Sequence, residues 1–178
     1  MRVADYITDF LFKKGIKTSF MLSGTGSVFL DDAFANQKGM EYISARHESA
    51  AVMMAVGYYK LSQKPGVALV TTGPGGANAV GGVVEAWVDS VPVLIISGQV
   101  ESNFLDKNIR YFGVQGLNVL PLIEPITKYS KTIIDPYSIQ YYLEKALYYA
   151  LEGRPGPVWL DIPFDIQSSQ IIDSTQMR

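Results

Sequence analysis

A chain of 178 residues and 19.6 kDa holds one full hydrophobic core and is too short for two comfortable domains. With 48% hydrophobic and 18% charged residues it reads as globular α/β, and a net charge of −2 without a Lys/Arg cluster among aromatics argues against nucleic acid as a partner. The absence of Cys excludes disulfides, thiolate metal sites and a Cys nucleophile, while a single histidine, His47, leaves little from which to build a His-based metal site or a Ser-His-Asp triad.

The first residues carry Asp5 and Asp9 and no long apolar run, so no signal peptide is expected there. Val3, Ile7, Phe10 and Leu11 recur at helical spacing, predicting a helix over residues 3–12 that stops at Gly15. Residues 18–22 read as a short buried strand, 23–27 as a flexible turn and 28–36 as a helix. A second strand over 40–43 leads into a helix over 49–61, apolar on nearly every side and expected to be buried. Residues 66–71 form the next strand, 72–78 a tight loop and 79–89 a helix of small residues. Residues 91–97 are continuously apolar, as in a central parallel strand buried on both faces. The apolar stretch at 91–96 is far below the ~20 residues of a membrane span, so a soluble cytoplasmic protein is the expectation.

Residues 98–116 are polar and aperiodic, as functional loops often are. A short helix over 117–123, a strand over 129–134, a helix from Pro136 to about Leu151 and a last strand over 156–163 complete the pattern. The domain is read as residues 1–166, with 167–178 as a linker or tail. Alternation of strand and helix predicts an α/β fold, a doubly wound, mostly parallel sheet with helices on both faces. In such sheets ligands bind beyond the carboxyl ends of the strands, where the loops at 23–27, 45–48, 72–78 and 98–116 should converge.

Glu48 stands at the junction of a strand with the head of an apolar helix. It gains there from the helix dipole and loses hydration, opposed effects that suit a group which holds or shares a proton; a dipole-matching first-turn Glu explains the same placement. His47 is adjacent, but neighbouring helical residues diverge by about 100°, which favours a structural or peripheral role. The Gly73-Pro74-Gly75-Gly76-Ala77-Asn78 loop follows a strand, yet Asn78 replaces the third glycine of a dinucleotide fingerprint and no phosphate-loop Lys follows. It is either a tight packing turn or an edge that a flat ligand can approach, with the Asn78 amide as a polar contact. Gln99 and Gln115 flank the long loop, where each would line a pocket or be solvated.

Taken in order, Ala45-Arg46-His47-Glu48-Ser49-Ala50-Ala51, Thr72-Gly73-Pro74-Gly75-Gly76-Ala77-Asn78, the segment from Asp89-Ser90-Val91-Pro92 to Ser97-Gly98-Gln99, Pro125-Ile126-Thr127-Lys128 and the segment from Gly153-Arg154-Pro155-Gly156-Pro157 to Asp161-Ile162-Pro163 resemble the N-terminal pyrimidine-binding domain of thiamine diphosphate enzymes. The likeness is greatest to acetolactate synthase and its relatives, and it implies the thiamine diphosphate-binding fold. In that family the glutamate matched by Glu48 hydrogen-bonds N1′ of the aminopyrimidine and favours the imino tautomer that takes the proton from thiazolium C2. The resemblance places Gly24, Thr25, Gly26, Thr72, Gly73, Pro74, Gly75 and Asn78 at the cofactor and Gln115 at the pocket for a 2-keto acid, with Gln99 nearby. Val114 and Gly116 flank Gln115 where the family has Phe and Glu, and Ser23-Gly24-Thr25-Gly26 stands where it has Tyr-Pro-Gly-Gly. These departures leave the 2-keto acid, and the choice between carboligation and decarboxylation, open.

Arg154 matches an arginine associated with FAD in flavin-containing members. Mg²⁺ is held in the family by a Gly-Asp-Gly…Asn motif of a separate diphosphate-binding domain, and no Gly-Asp-Gly occurs here. The resemblance therefore implies half a site, inactive alone and completed by a diphosphate-binding domain of the same or another chain in a homodimer or tetramer. The alternatives are one subunit of a split 2-keto acid decarboxylase and a non-catalytic dimerisation module of the same fold.

Overall fold

The computed structural model describes residues 1–105, 109–110 and 113–171. Six strands, β1 (Thr18–Met21), β2 (Glu41–Ser44), β3 (Gly66–Val70), β4 (Val93–Gln99), β5 (Tyr129–Thr132) and β6 (Val158–Pro163), form one sheet in the order β2-β1-β3-β4-β6-β5. Every pairing is parallel, so the expected mostly parallel sheet is wholly so.

Alternate residues of the strands feed two cores. Helices α1 (Val3–Lys13), α2 (Val28–Asn36), α6 (Ile139–Leu151) and α7 (Phe164–Ser168) cover one face, packing on Met21, Val67, Leu69, Leu94, Ile96 and Leu160. Helices α3 (Glu48–Ser62), α4 (Pro74–Val88) and α5 (Leu120–Ile123) cover the other, over Phe20, Ala68, Val70, Ile95 and Trp159. The central strand β4 is buried along its whole length, as its unbroken apolar run predicts. Helix α1 begins at Val3 and α2 spans residues 28–36, both where the sequence places them.

Three expectations are corrected. Helix α3 is not buried all round: Met53 and Met54 are 43% and 39% exposed, because only its Ala51, Val52, Ala55 and Val56 side meets the sheet. Helix α4 starts at Pro74 rather than Ala79, since proline at the first helical position is pre-organised for the helix and Gly73 alone makes the reversal. Residues 75–78 are thus helical, not loop.

The third correction lies at the expected linker. Gln167 is fully buried, Ile171 is 8% exposed and donates its N–H to Met1 O at 2.8 Å, and Gln170 bridges to Arg2. The chain stays docked through Ile171 because α7 carries it back onto α1; the rest of the expected tail lies outside the described residues. Among the described residues no helix is long and apolar enough to cross a membrane.

Candidate functional site

The strand order places two switch points in the sheet. From β1 the chain steps outward to β2 through α2 on one face and returns to β3 through α3 on the other, so a crevice opens at the carboxyl ends of β1 and β3. The turn after β1 and the loop into α4 meet there. An ideal Cβ on Gly24 would stand 2.5 Å from Thr71 Oγ1, and one on Gly26 would stand 1.7 Å from Thr72 Oγ1. The two loops therefore touch through backbone on one side and hydroxyl side chains on the other.

Glu48 stands at this edge, next to Gly75 and Asn78. It is the first residue of α3, 8% exposed, and its Oε2 accepts a hydrogen bond from Asn78 Nδ2 at 3.2 Å. Its Oε1 lies 3.4 Å from where a Cβ on Gly75 would stand, and that same point is 2.7 Å from Thr71 Cγ2. Among the described residues Oε1 accepts no hydrogen bond. Asn78 is aimed by the close packing of α4 on α3: Gly82 leaves only 2.6 Å between its absent Cβ and Ser49 O, and Ser49 Oγ donates to Asn78 O. His47 takes the structural role, its Nδ1 accepting from Ser49 N at 3.2 Å to cap α3.

Gly73 is what lets the α4 loop turn. Its φ of 60° and ψ of −111° are open to glycine and costly for other residues, and its missing Cβ leaves room for Gln115 O, which would sit 1.8 Å from that atom. Gln115 reaches the site by its backbone while its side chain is exposed. Pro74 opens α4 on the exposed side, and Thr25 is exposed on the turn. Gln99 is 2% exposed and its amide is taken up by its own chain: Nε2 donates to Leu117 O at 2.8 Å and Asp161 Oδ2 at 3.2 Å, and Oε1 accepts from Val100 N at 2.9 Å. Gln99 therefore ties the segment leading from Gln115 onto the sheet, with both of its amide hydrogens engaged.

A second switch point lies between β4 and β6, because β5 is built outside β6. A cavity of about 550 Å³ opens there, lined by Gln99, Thr132, Lys131 and Asp161 among others. Asp161 is wholly buried, and burial pushes its carboxyl up to about 6 against hydrogen bonds from Ser97, Gln99 and Thr132 that favour the charged form. Ser97 Oγ, which donates to Asp161 at 2.6 Å, accepts in turn from the indole N–H of buried Trp159 at 2.8 Å, so the core aromatic finds its partner through this acid.

A folded-state value raised from 3.8 means that Asp161 supports the fold while protonated, in full below about pH 3.8, and that this support, of order 3 kcal/mol, is lost as pH rises through about 6. Urea unfolding across pH 4–7 should therefore show stability falling in this window, with a shallower fall in Asp161→Asn. An unchanged slope in the variant would assign the titration elsewhere; Asp31, also pushed by burial to about 6, is the other contributor in the same range.

Asp31, Thr71 and Gln167 belong to the site region and were not read from the sequence. Asp31 lies four residues after Ser27 at the start of α2, the spacing at which a helical side chain meets its neighbour; no local signal marks the other two. Arg154 lies elsewhere, at the amino ends of β4 and β6, with its Nε donating to Ser90 Oγ at 2.6 Å. Among the described residues no three His, Asp or Glu side chains gather as metal ligands.

The family model described as thiamine pyrophosphate enzyme, N-terminal TPP binding domain, matches residues 1–111. An acetolactate synthase large subunit of Haemophilus influenzae is 40% identical over 162 residues, 91% of this chain and 28% of the relative. That of Lactococcus lactis is 38% identical over 159 residues, 89% of this chain and 27% of the relative. A chloroplastic acetolactate synthase of Arabidopsis thaliana is 35% identical over 172 residues, 95% of this chain and 25% of its own length. The chain thus spans about a quarter of the length of the curated relatives it matches.

Proposed function

The chain belongs to the thiamine pyrophosphate enzymes through their N-terminal TPP-binding domain, and from that premise we propose that it forms the pyrimidine half of the cofactor site of an acetolactate synthase-like enzyme acting on 2-keto acids. The observation that carries this reading is the setting of Glu48: a buried carboxyl with one oxygen held by Asn78 and the other turned toward the bare backbone of Gly75. The residues suit the group. A flat heteroaromatic ring needs close backbone on one side and a single acid at its edge; Glu48 supplies the acid, and Gly24 and Gly75 close around the Thr71 side chain beside it.

Thiamine diphosphate, when bound, supplies the carbon nucleophile that this reaction class requires. Within this chain Glu48 holds or shares a proton at the ring edge, Asn78 fixes which carboxyl oxygen faces the ring, and Thr72, Gly73 and Pro74 set the height of the wall. Mg²⁺ and the diphosphate are assigned to a diphosphate-binding domain of the same or another chain in a homodimer or tetramer. The exposed apolar residues Met53 and Met54 on α3 and Val84, Trp87 and Val88 on α4, which run from near the site toward the opposite edge of the sheet, favour such a neighbour. A flavin reached through Arg154 would lie at the opposite edge of the sheet from Glu48.

Calorimetric titration with thiamine diphosphate and Mg²⁺ tests the reading. Together with its diphosphate-binding domain, on the same or another chain, this chain should bind, and by itself it should bind weakly or not at all. Absence of binding by the assembled pair would overturn the cofactor assignment, and tight binding by the chain alone would overturn the half-site.

A further inference from the structure

The turn at residues 24–27 is held in place by polar side chains from outside it. Asp31 Oδ2 accepts from Gly24 N at 3.2 Å and from Ser27 Oγ at 3.1 Å. From the other side, Gln167 Nε2 donates to Gly26 O at 2.8 Å and to Ile162 O at 2.8 Å, tying the turn to the end of β6. Five buried side-chain atoms lack a hydrogen-bond partner among the described residues, and four belong to side chains touching this turn: Asp31 Oδ1, Thr71 Oγ1, Thr72 Oγ1 and Gln167 Oε1. Unpaired polar atoms disfavour the arrangement they sit in, so the turn stays against Thr71 and Thr72 only while its anchors hold.

We propose that Asp31 is a positioning residue of the cofactor site: its carboxylate, by accepting from Gly24 and Ser27 together, holds the turn against Thr71 and so sets the wall that faces Glu48. The inference rests on the thiamine diphosphate reading. Ser27 carries one hydroxyl proton and two acceptors within reach, Asp31 Oδ2 and Gly24 O, both at 3.1 Å. An ionised Asp31 draws that proton to itself and, through the second bond, draws the Gly24 amide with it. Although burial pushes its carboxyl up to about 6, Asp31 is mainly ionised at neutral pH, where both bonds are charge-assisted. Asp31 does not touch the ring position directly; it acts through Gly24, whose absent Cβ brings Thr71 into contact.

The test uses this chain assembled with its diphosphate-binding domain, on the same or another chain, with Asp31→Ala and Asp31→Asn. Loss of two hydrogen bonds to a charged acceptor should raise the dissociation constant for thiamine diphosphate with Mg²⁺ about tenfold or more in Asp31→Ala. Turnover at saturating cofactor should change much less, and amide exchange at Gly24 and Ser27 should speed up about tenfold. Asparagine keeps an oxygen that can accept both bonds, so Asp31→Asn should recover most of the affinity and protection. Wild-type affinity and exchange in a folded Asp31→Ala would overturn the proposal, as would an asparagine variant as impaired as the alanine one. If the unaltered protein binds no thiamine diphosphate, the cofactor reading fails, and the exchange rates at residues 24–27 alone decide whether Asp31 holds the turn.

Discussion

On the proposed reading, Glu48→Gln in this chain assembled with its diphosphate-binding domain should lower turnover of a 2-keto acid by roughly 100-fold or more, the range expected when a positioned proton-holding group is lost. The substitution is nearly isosteric. The glutamine oxygen can keep the hydrogen bond from Asn78 Nδ2, and the side chain stays in a site only 8% exposed, so the variant should fold. Removing the charge from the first turn of α3 costs roughly 0.3–1 kcal/mol of helix-dipole interaction, which is small beside the expected effect on rate. What glutamine cannot do is take up and return a proton at the position of Oε1. Steady-state rates and thermal unfolding, measured together, separate the two effects. Wild-type turnover would remove Glu48 from the mechanism, whatever the unfolding curve shows.

Gly73→Ala should be the most damaging single change in the loop that faces Glu48. The residue has φ 60° and ψ −111°, and its new Cβ would stand 1.8 Å from Gln115 O, a backbone atom that no side-chain rotation can move. Backbone strain of roughly 1–3 kcal/mol adds to the displacement of either α4 or the segment around Gln115. Gly153 is an internal control, with φ 61° and nothing within 4 Å of its ideal Cβ, so Gly153→Ala carries the strain without the collision. The melting temperature should fall by about 5–10 °C for Gly73→Ala and by no more than about half of that for Gly153→Ala. Only Gly73→Ala should weaken thiamine diphosphate binding, by about tenfold or more, because Thr72, Gly75 and Asn78 move with the loop. Equal effects from the two substitutions would show that the collision is relieved at little cost.

The apolar α3 and α4 faces give the site a setting that residue spacing did not predict. A helix of alanines, valines and methionines reads as buried by composition, yet α3 presents Met53 and Met54 outward and α4 presents Trp87 and Val88. Composition reports how much apolar surface a helix has. Which part meets its own sheet is decided by the rotation at which Gly82 lets α4 settle on Ser49 and Val52.

Much of the architecture was legible because parallel strands buried on both faces write themselves as continuous apolar runs, as at β4, and because periodicity and turn residues bound the helices, as at α1 and α2. Glu48 was legible for a related reason: a charged residue between a strand and an apolar helix has few ways to stay solvated. The start of α4 differs from the expected Ala79 because glycines suggest loop, whereas the proline at its first position and the single reversal at Gly73 allow Gly75 and Gly76 into the helix. Gln99 and Gln115 read as pocket residues; Gln99 lines the cavity between β4 and β6 with its amide bonded to Asp161 and Leu117, and Gln115 meets the site through its carbonyl.

By itself, then, the sequence determined the α/β class, the positions of the strands, the family and the acid at the head of α3, since each is written in neighbouring residues or in spacing along the chain. Only the tertiary structure decided that β1 and β3 lie side by side, that Asp31 and Gln167 grip the same turn from segments 136 residues apart in number, and that Asp161 on β6 reaches Ser97 and Gln99 on β4 and Thr132 on β5. Those contacts depend on strand order and on which hydrogen bonds remain to be made after the core has closed, and neither is encoded in any local stretch of residues.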